Sequence, residues 1–349
     1  MQKIITEKSL SETMFSTGEK VTFLKQPGAY PFQVSRVETK ETHMSWVFLA
    51  DGFAYKLKKP VKYHFLDFSI LEARFRNCRE EVRLNRRLAK DIYLGIVPLT
   101  VDEKGKMALE GKGTIIDWLV KMKRIPEDNM LDYVLTHHVI NITLVQQAAI
   151  LLTEFYKSSP AIVSEPGFYR EKLKGEVHSV YRELLHPEYQ LPVALIEQFT
   201  TGLLQFLNDH ASLFDKRITT GKIIEAHGDL RPEHVCIAPE PAIIDCLEFN
   251  RDLRILDTGE ELSFFAMECE MMGNKAVGEL FFDTYSSITS DHIPEALICF
   301  YKLKKACLRA FLVVRHITEP VYKGDPKWVA KGRAYLQLAE QYHKQLMAI

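Results

Sequence analysis

Residues 227–235 read HGDLRPEHV, and residues 243–250 read IIDCLEFN. The first segment follows Lys222–Ala226, an apolar run that predicts a short strand ending at His227 and leaves Asp229 on the loop beyond it. Val235–Ala238 and Ala242–Ile244 are two further β-like runs around Pro239-Glu240-Pro241, the pattern of a hairpin. Antiparallel counting from that turn sets His234 opposite Asp245. Polar residues then meet at the mouth of an apolar hairpin, beside Asp229. Asp257 and Glu260, ahead of the apolar run LSFFAM, have the spacing of a helix cap and its reciprocal glutamate.

A second constellation lies upstream. WVFLA at 46–50 and FAYKL at 53–57 flank Asp51-Gly52, a strong hairpin signal. Alternation puts Ala54, Lys56 and Lys58 on one face of the second strand and excludes Lys59. From Ser69 to Ala89 the spacing predicts a helix, with Ser69 and Glu72 as a capping box. Leu71, Phe75, Cys78, Val82, Leu84 and Leu88 share one arc of it, and Glu81 falls inside that arc. A carboxylate on a buried stripe is costly unless it meets a cation.

These segments resemble the catalytic core of the aminoglycoside phosphotransferase and choline kinase group, relatives of the protein kinases. The resemblance implies an α+β, bilobal protein kinase-like fold: a small antiparallel-sheet lobe at 1–119 and a larger, mainly helical lobe at 120–349. It implies Asp229 as the base toward a hydroxyl acceptor, Arg231 as a phosphate contact, and Asp245 as the ligand of a magnesium or manganese ion. His234 stands where the family carries a metal-binding Asn, and Glu248 is an alternative oxygen donor. The family's phosphate-gripping lysine corresponds to Lys56, paired with Glu81. In such folds adenine bonds the backbone that links the lobes, which here nominates Val120 and Met122. Asp257 lies near the family's aspartate that braces the catalytic loop.

The family's glycine-rich loop is missing: VETKETHMS at 37–45 has no glycine, which leaves Thr39, Thr42 and Ser45 for the phosphates. The function implied is ATP-dependent transfer of a γ-phosphoryl group to a hydroxyl of a small molecule. Two alternatives fit the same residues. One is a nucleotide-binding scaffold without turnover; the other is a metal-dependent phosphohydrolase using His227, Asp229, His234 and Asp245.

Composition is compatible with these readings. A net charge of −1, with both signs interspersed, offers no basic field for nucleic acid or an anionic membrane. The six cysteines form no C-x-x-C pair, the usage of a reducing cytoplasm. MQKIITEKSL lacks an apolar signal core, no stretch is long enough to span a membrane, and no Walker-type loop occurs. Met1–Leu24 is expected to hold one or two short helices. Leu144–Tyr156 is expected to form the central helix of the large lobe, and Ile293–Ile349 to be helical, with Lys302, Lys305, Arg309 and Arg315 on a solvated face.

Overall fold

The computed structural model describes residues 15–63, 66–319 and 322–349. The chain forms two compact units, Met1–Met130 with Glu240–Asp252, and Leu131–Pro239 with Leu253–Ile349. Together they give the expected α+β class: a six-stranded antiparallel sheet in the first and a mainly helical second. Of the helices expected in Met1–Leu24, residues 1–14 lie outside the described residues; Thr17–Leu24 forms α1, started by a capping box of Ser16 and Glu19.

The sheet of the first unit comprises β1 (Val37–Glu41), β2 (Ser45–Ala50), β3 (Phe53–Lys58), β6 (Tyr93–Val101), β7 (Met107–Leu109) and β8 (Thr114–Lys123), in the order β1-β2-β3-β8-β6-β7. The short pair β4 (Lys62–Tyr63) and β5 (Leu66–Asp67) follows β3. The Asp-Gly hairpin forms where the sequence placed it, with Asp51 in a left-handed conformation (φ 47°) held by the backbone and hydroxyl of Ser35. Tyr55 and Leu57 point into an apolar core with Phe48, Leu99, Ile116 and Leu119. Pleating sends Lys56 and Lys58 to the opposite face.

Helix α2 (Leu71–Asn85) packs on β8 and β6. It starts two residues later than expected, with Ile70 at the N-cap and no side-chain cap. Ser69 is taken by another partner: its backbone N–H and hydroxyl both bond Asp67 Oδ1, so the Ser69–Glu72 capping box does not form. The buried stripe of α2 is also more polar than the apolar count suggested, comprising Arg74, Asn77, Glu81 and Asn85 beside Cys78, Val82 and Leu84. Asp117 of β8 accounts for Arg74. It accepts from Arg74 Nε at 2.8 Å and from Lys20 of α1 at 2.8 Å, tying two helices to one strand.

In the second unit, α3 (Leu131–His137), α4 (Ile142–Ser158), α5 (Phe168–Leu184), α6 (Val193–Asp209) and α7 (Ala211–Thr219) precede β9 (Ile223–Glu225). After β12 (Ile255–Asp257), which pairs antiparallel with β9, come α8 (Thr258–Met271), α9 (Lys275–Thr289), α10 (Glu295–Val314) and α11 (Pro326–Ala348). Helix α4 forms as expected, but the helix enclosed on all sides is α8, buried from Thr258 through Cys269. Gly278 of α9 permits its close packing, because a Cβ there would sit 2.6 Å from that of Ala266.

Buried α8 carries Glu260, Glu261 and Glu268, and these acids reassign the cations of the C-terminal helices. Lys304 and Lys305 each reach Glu260 at 2.9 Å, Arg309 reaches Glu268 at 2.7 Å, and Lys302 reaches Glu270 at 2.5 Å. Lys302, Lys305 and Arg309 are therefore internal partners and not a solvated face. Asp257 caps α8 through Gly259 N–H at 2.7 Å, as its spacing indicated. Glu260 does not reciprocate that cap, because Tyr169 and the two lysines occupy it.

This network has a pH signature. Burial pushes the Glu176 and Glu260 carboxyls up, but Lys304 and its neighbours outweigh burial and hold both below the ordinary range. Arg217 does the same for Asp291. Groups with depressed folded values contribute stability above their unfolded values near ~4 and lose it as pH falls through the folded ones. Melting temperature is therefore expected to drop between about pH 4 and pH 2, and less steeply in Glu260→Gln. A flat profile would show that the network contributes nothing.

Candidate active site

Strand β3 and helix α2 meet at a cluster of five charges within the first unit. Lys56 Nζ lies 2.9 Å from Glu81 Oε1 and 2.8 Å from Asp245 Oδ1, joining residues 189 positions apart in the chain. Lys58 Nζ approaches the other oxygen, Glu81 Oε2, at 2.5 Å and also bonds Glu248. Glu81 is fully enclosed, whereas the Asp245 side chain is 47% exposed. Burial pushes the Glu81 carboxyl up, but the two ammonium groups outweigh it and bring it below its usual value. Burial likewise disfavours charge on Lys56, and Asp245 with Glu81 reverses this, so the lysine stays an ammonium.

Helix α2 also positions the segment that carries Asp245. Ile243 N–H bonds the Leu88 carbonyl at 3.2 Å, Cys246 N–H bonds Asn85 Oδ1 at 2.9 Å, and Asp245 N–H bonds the Tyr93 hydroxyl at 3.2 Å. Asn85 is in turn held by the Glu81 carbonyl at 2.9 Å. Asp245 itself is left-handed (φ 60°), an uncommon conformation for a non-glycine residue that these bonds hold in place.

The HGD segment belongs to the second unit. Gly228 supplies the positive φ (91°) that turns the chain, and Glu261 of α8 braces the turn. Its carboxylate accepts from Gly228 N–H at 2.6 Å, His227 N–H at 3.2 Å and the Tyr156 hydroxyl at 2.8 Å. Asp229 accepts from Arg231 Nη2 at 3.0 Å, while Arg231 also bonds Glu233. His234 faces back into this loop: Nδ1 lies 2.7 Å from the Asp229 carbonyl and Nε2 lies 3.2 Å from Arg231 Nη2. It sits in a 3-10 turn, Pro232–His234, ahead of β10 (Val235–Cys236), and β11 (Ala242–Ile243) ends before Asp245. The antiparallel count to His234 and Asp245 therefore extends past both strands.

Val120 and Met122 lie inside β8 with register partners on both sides: Lys56 and Ile96 for Val120, Ala54 and Tyr93 for Met122. Their backbone is committed to the sheet, and the expected division at 119/120 falls within this strand. Thr42 closes the β1–β2 turn, accepting from Ser45 N–H at 3.0 Å and donating to the Ser45 carbonyl at 3.1 Å. Sequence reasoning missed Glu261, which carries no positional signal, and missed Lys58 as a second partner of Glu81. Asp257, which lies near the family's loop-bracing aspartate, also grips Arg217 through two 2.8 Å bonds.

Solved structures that share this fold are named as small-molecule kinases. A choline kinase of Streptococcus pneumoniae, LicA, superposes with a TM-score of 0.55 at 16% identity, covering 95% of this chain and 100% of its own. The fold is choline kinase-like. A choline kinase of Cryptosporidium parvum (TM-score 0.55, 12% identity, 94% of this chain and 95% of that one) shares it. So does a choline/ethanolamine kinase family protein of Mesorhizobium loti (0.53, 15%, 95% of each). By sequence, an uncharacterized protein of Mycobacterium tuberculosis is 30% identical over 318 residues, 88% of this chain. This chain spans 59% of the length of that relative, and the same holds for its counterpart in Mycobacterium bovis. No protein-family model matches the chain. Among the described residues, no helix is long and apolar enough to cross a membrane.

Proposed function

We propose that the protein is a phosphotransferase that moves the γ-phosphoryl group of ATP to a hydroxyl of a small molecule. One observation carries this reading: Lys56 on β3 is shared between a glutamate of the following helix and the distant Asp245. Such a lysine, oriented by Glu81, is suited to the α- and β-phosphates. Asp229, on a loop fixed by Glu261, aligns the acceptor hydroxyl and takes its proton. Arg231, bonded to Asp229, is assigned to neutralising the charge that develops on the transferring group.

The donor set fits a magnesium or manganese ion at Asp245, a hard carboxylate oxygen that remains half exposed. When bound, that ion neutralises phosphate charge. Both ring nitrogens of His234 are engaged inside the loop, so we assign it to bracing the loop and not to the metal. The same contacts weigh against the phosphohydrolase, as does His227, which is fully buried with Nδ1 accepting from Asp229 N–H at 3.3 Å. Adenine contact is assigned to residues 125–128, where the chain has left β8. The acceptor class is open to a panel of alcohols, sugars and amino alcohols.

The test is calorimetric titration with a non-hydrolysable ATP analogue, together with ATP consumption over that panel. Lys56→Met is expected to weaken nucleotide binding by about 10–100-fold, the loss of one charge-assisted contact in a partly buried site. Unchanged affinity in Lys56→Met would remove the lysine from the nucleotide site. Binding without consumption of ATP would instead favour a scaffold.

A further inference from the structure

We infer that Lys58 is a second, anchoring ammonium of the nucleotide site, holding Glu81 and Glu248 in place while Lys56 exchanges Asp245 for phosphate. This rests on the phosphotransferase reading above and adds a positioning residue to it.

The two lysines share one glutamate but differ in surroundings. Lys56 is 14% exposed and its partner Asp245 is 47% exposed, so their contact is open to solvent from the Asp245 side. Lys58 is 1% exposed and its partner Glu248 is 9% exposed. A solvent-facing ion pair is weak and exchangeable, whereas a buried one resists separation because each charge would be left without water or partner. Asp245 is therefore the partner Lys56 can give up.

Charge balance points the same way. Two lysines against three carboxylates, Glu81, Asp245 and Glu248, give these five side chains a formal net charge of 2 − 3 = −1. A triphosphate is repelled by that balance until a divalent cation engages Asp245. As Lys56 then turns toward phosphate, a fully enclosed Glu81 with no other cation would lose much of its compensation. Lys58, 2.5 Å from the second oxygen of Glu81, supplies it. Its bond to Glu248 also keeps that carboxylate out of the metal's coordination.

The test uses the full chain, titrated calorimetrically with manganese chloride alone and then with manganese plus a non-hydrolysable ATP analogue. Wild type, Lys58→Met and Lys58→Met/Glu248→Gln are compared. In Lys58→Met, manganese alone is expected to bind about tenfold tighter, because Glu248 is released to it, and the nucleotide complex about tenfold weaker. These opposite signs separate an anchor from a merely structural lysine, whose loss weakens both together. The double variant, with charge balance restored but Glu81 still short of its second cation, is expected to return manganese affinity to the wild-type value while nucleotide binding stays weakened. It also carries the test if Lys58→Met fails to fold. Parallel weakening, no change, or a double variant that regains wild-type nucleotide binding would overturn the inference. Wild-type protein that binds neither manganese nor nucleotide would overturn the phosphotransferase reading, and this inference with it.

Discussion

Asp229→Asn is expected to lower kcat by about 10²–10⁴-fold while nucleotide affinity stays unchanged. The amide has the size of the carboxylate and can still accept a bond from Arg231, which now lies 3.0 Å from Asp229 Oδ2. The loop should keep its shape, because its shape comes from Glu261 and not from the Asp229 side chain. What the amide cannot do is accept the proton of the attacking hydroxyl. A coupled ATP-consumption assay on the wild-type acceptor, paired with calorimetry, separates the two effects. A variant that turns over normally would mean that Asp229 is a turn residue and that the base lies elsewhere. A hydrolase would lose activity here too but keep it in Lys56→Met, so the two variants together discriminate the reaction classes.

Glu261→Ala should have the second large effect, and it acts through another residue. Two backbone N–H groups at His227 and Gly228, with the Tyr156 hydroxyl, converge on this carboxylate inside α8. Removing it leaves three buried donors unsatisfied at about 1 kcal/mol or more each, so a total loss of at least roughly 3 kcal/mol is expected by chemical denaturation. The surviving folded fraction should also lose kcat by about 10²-fold, because a displacement of about 1 Å at a reacting group has that cost. Tyr156→Phe removes only one of the three donors and should fall well short of both losses. The sharper readout is Glu261→Gln, whose amide oxygen can satisfy one N–H but whose NH₂ confronts the other. If kcat in Glu261→Gln matches wild type, the carboxylate is not what holds Asp229 in place.

Burial raises the Glu261 carboxyl above its ordinary value, although Gly228, Tyr156 and His227 all donate to it and pull it down. A raised folded value contributes stability below the unfolded value and loses it as pH rises through the folded one. Glu261 thus opposes Glu176, Glu260 and Asp291, whose values are depressed. Holding the 227–229 turn therefore carries an electrostatic cost at neutral pH that the fold meets elsewhere.

Much of this site could be read from local patterns. Glu81 was readable because a carboxylate within an apolar helical arc requires a cation, and pleating narrowed the cation to Lys56 or Lys58. Both turned out to be partners. The Asp-Gly hairpin and the cap at Asp257 follow from bonds between near neighbours, and near neighbours are what a sequence displays. The capping box at Ser69 failed at the same range, because Asp67, two residues back, competed for the same groups.

Residue pattern along the chain settles the element types, the lysine face of β3, the buried acid on α2 and the turn ahead of Asp229. Packing in three dimensions settles which acid braces the 227–229 turn, which cations the C-terminal helices spend internally, and which way His234 faces. Helix α8 shows why: it is enclosed on every side, so no amphipathic period distinguishes Glu260, Glu261 and Glu268. Each looks alike in one dimension. Their roles come from donors brought from α4, α5, α10 and the 227–229 turn, and such through-space pairings leave no mark on the spacing of residues along the chain.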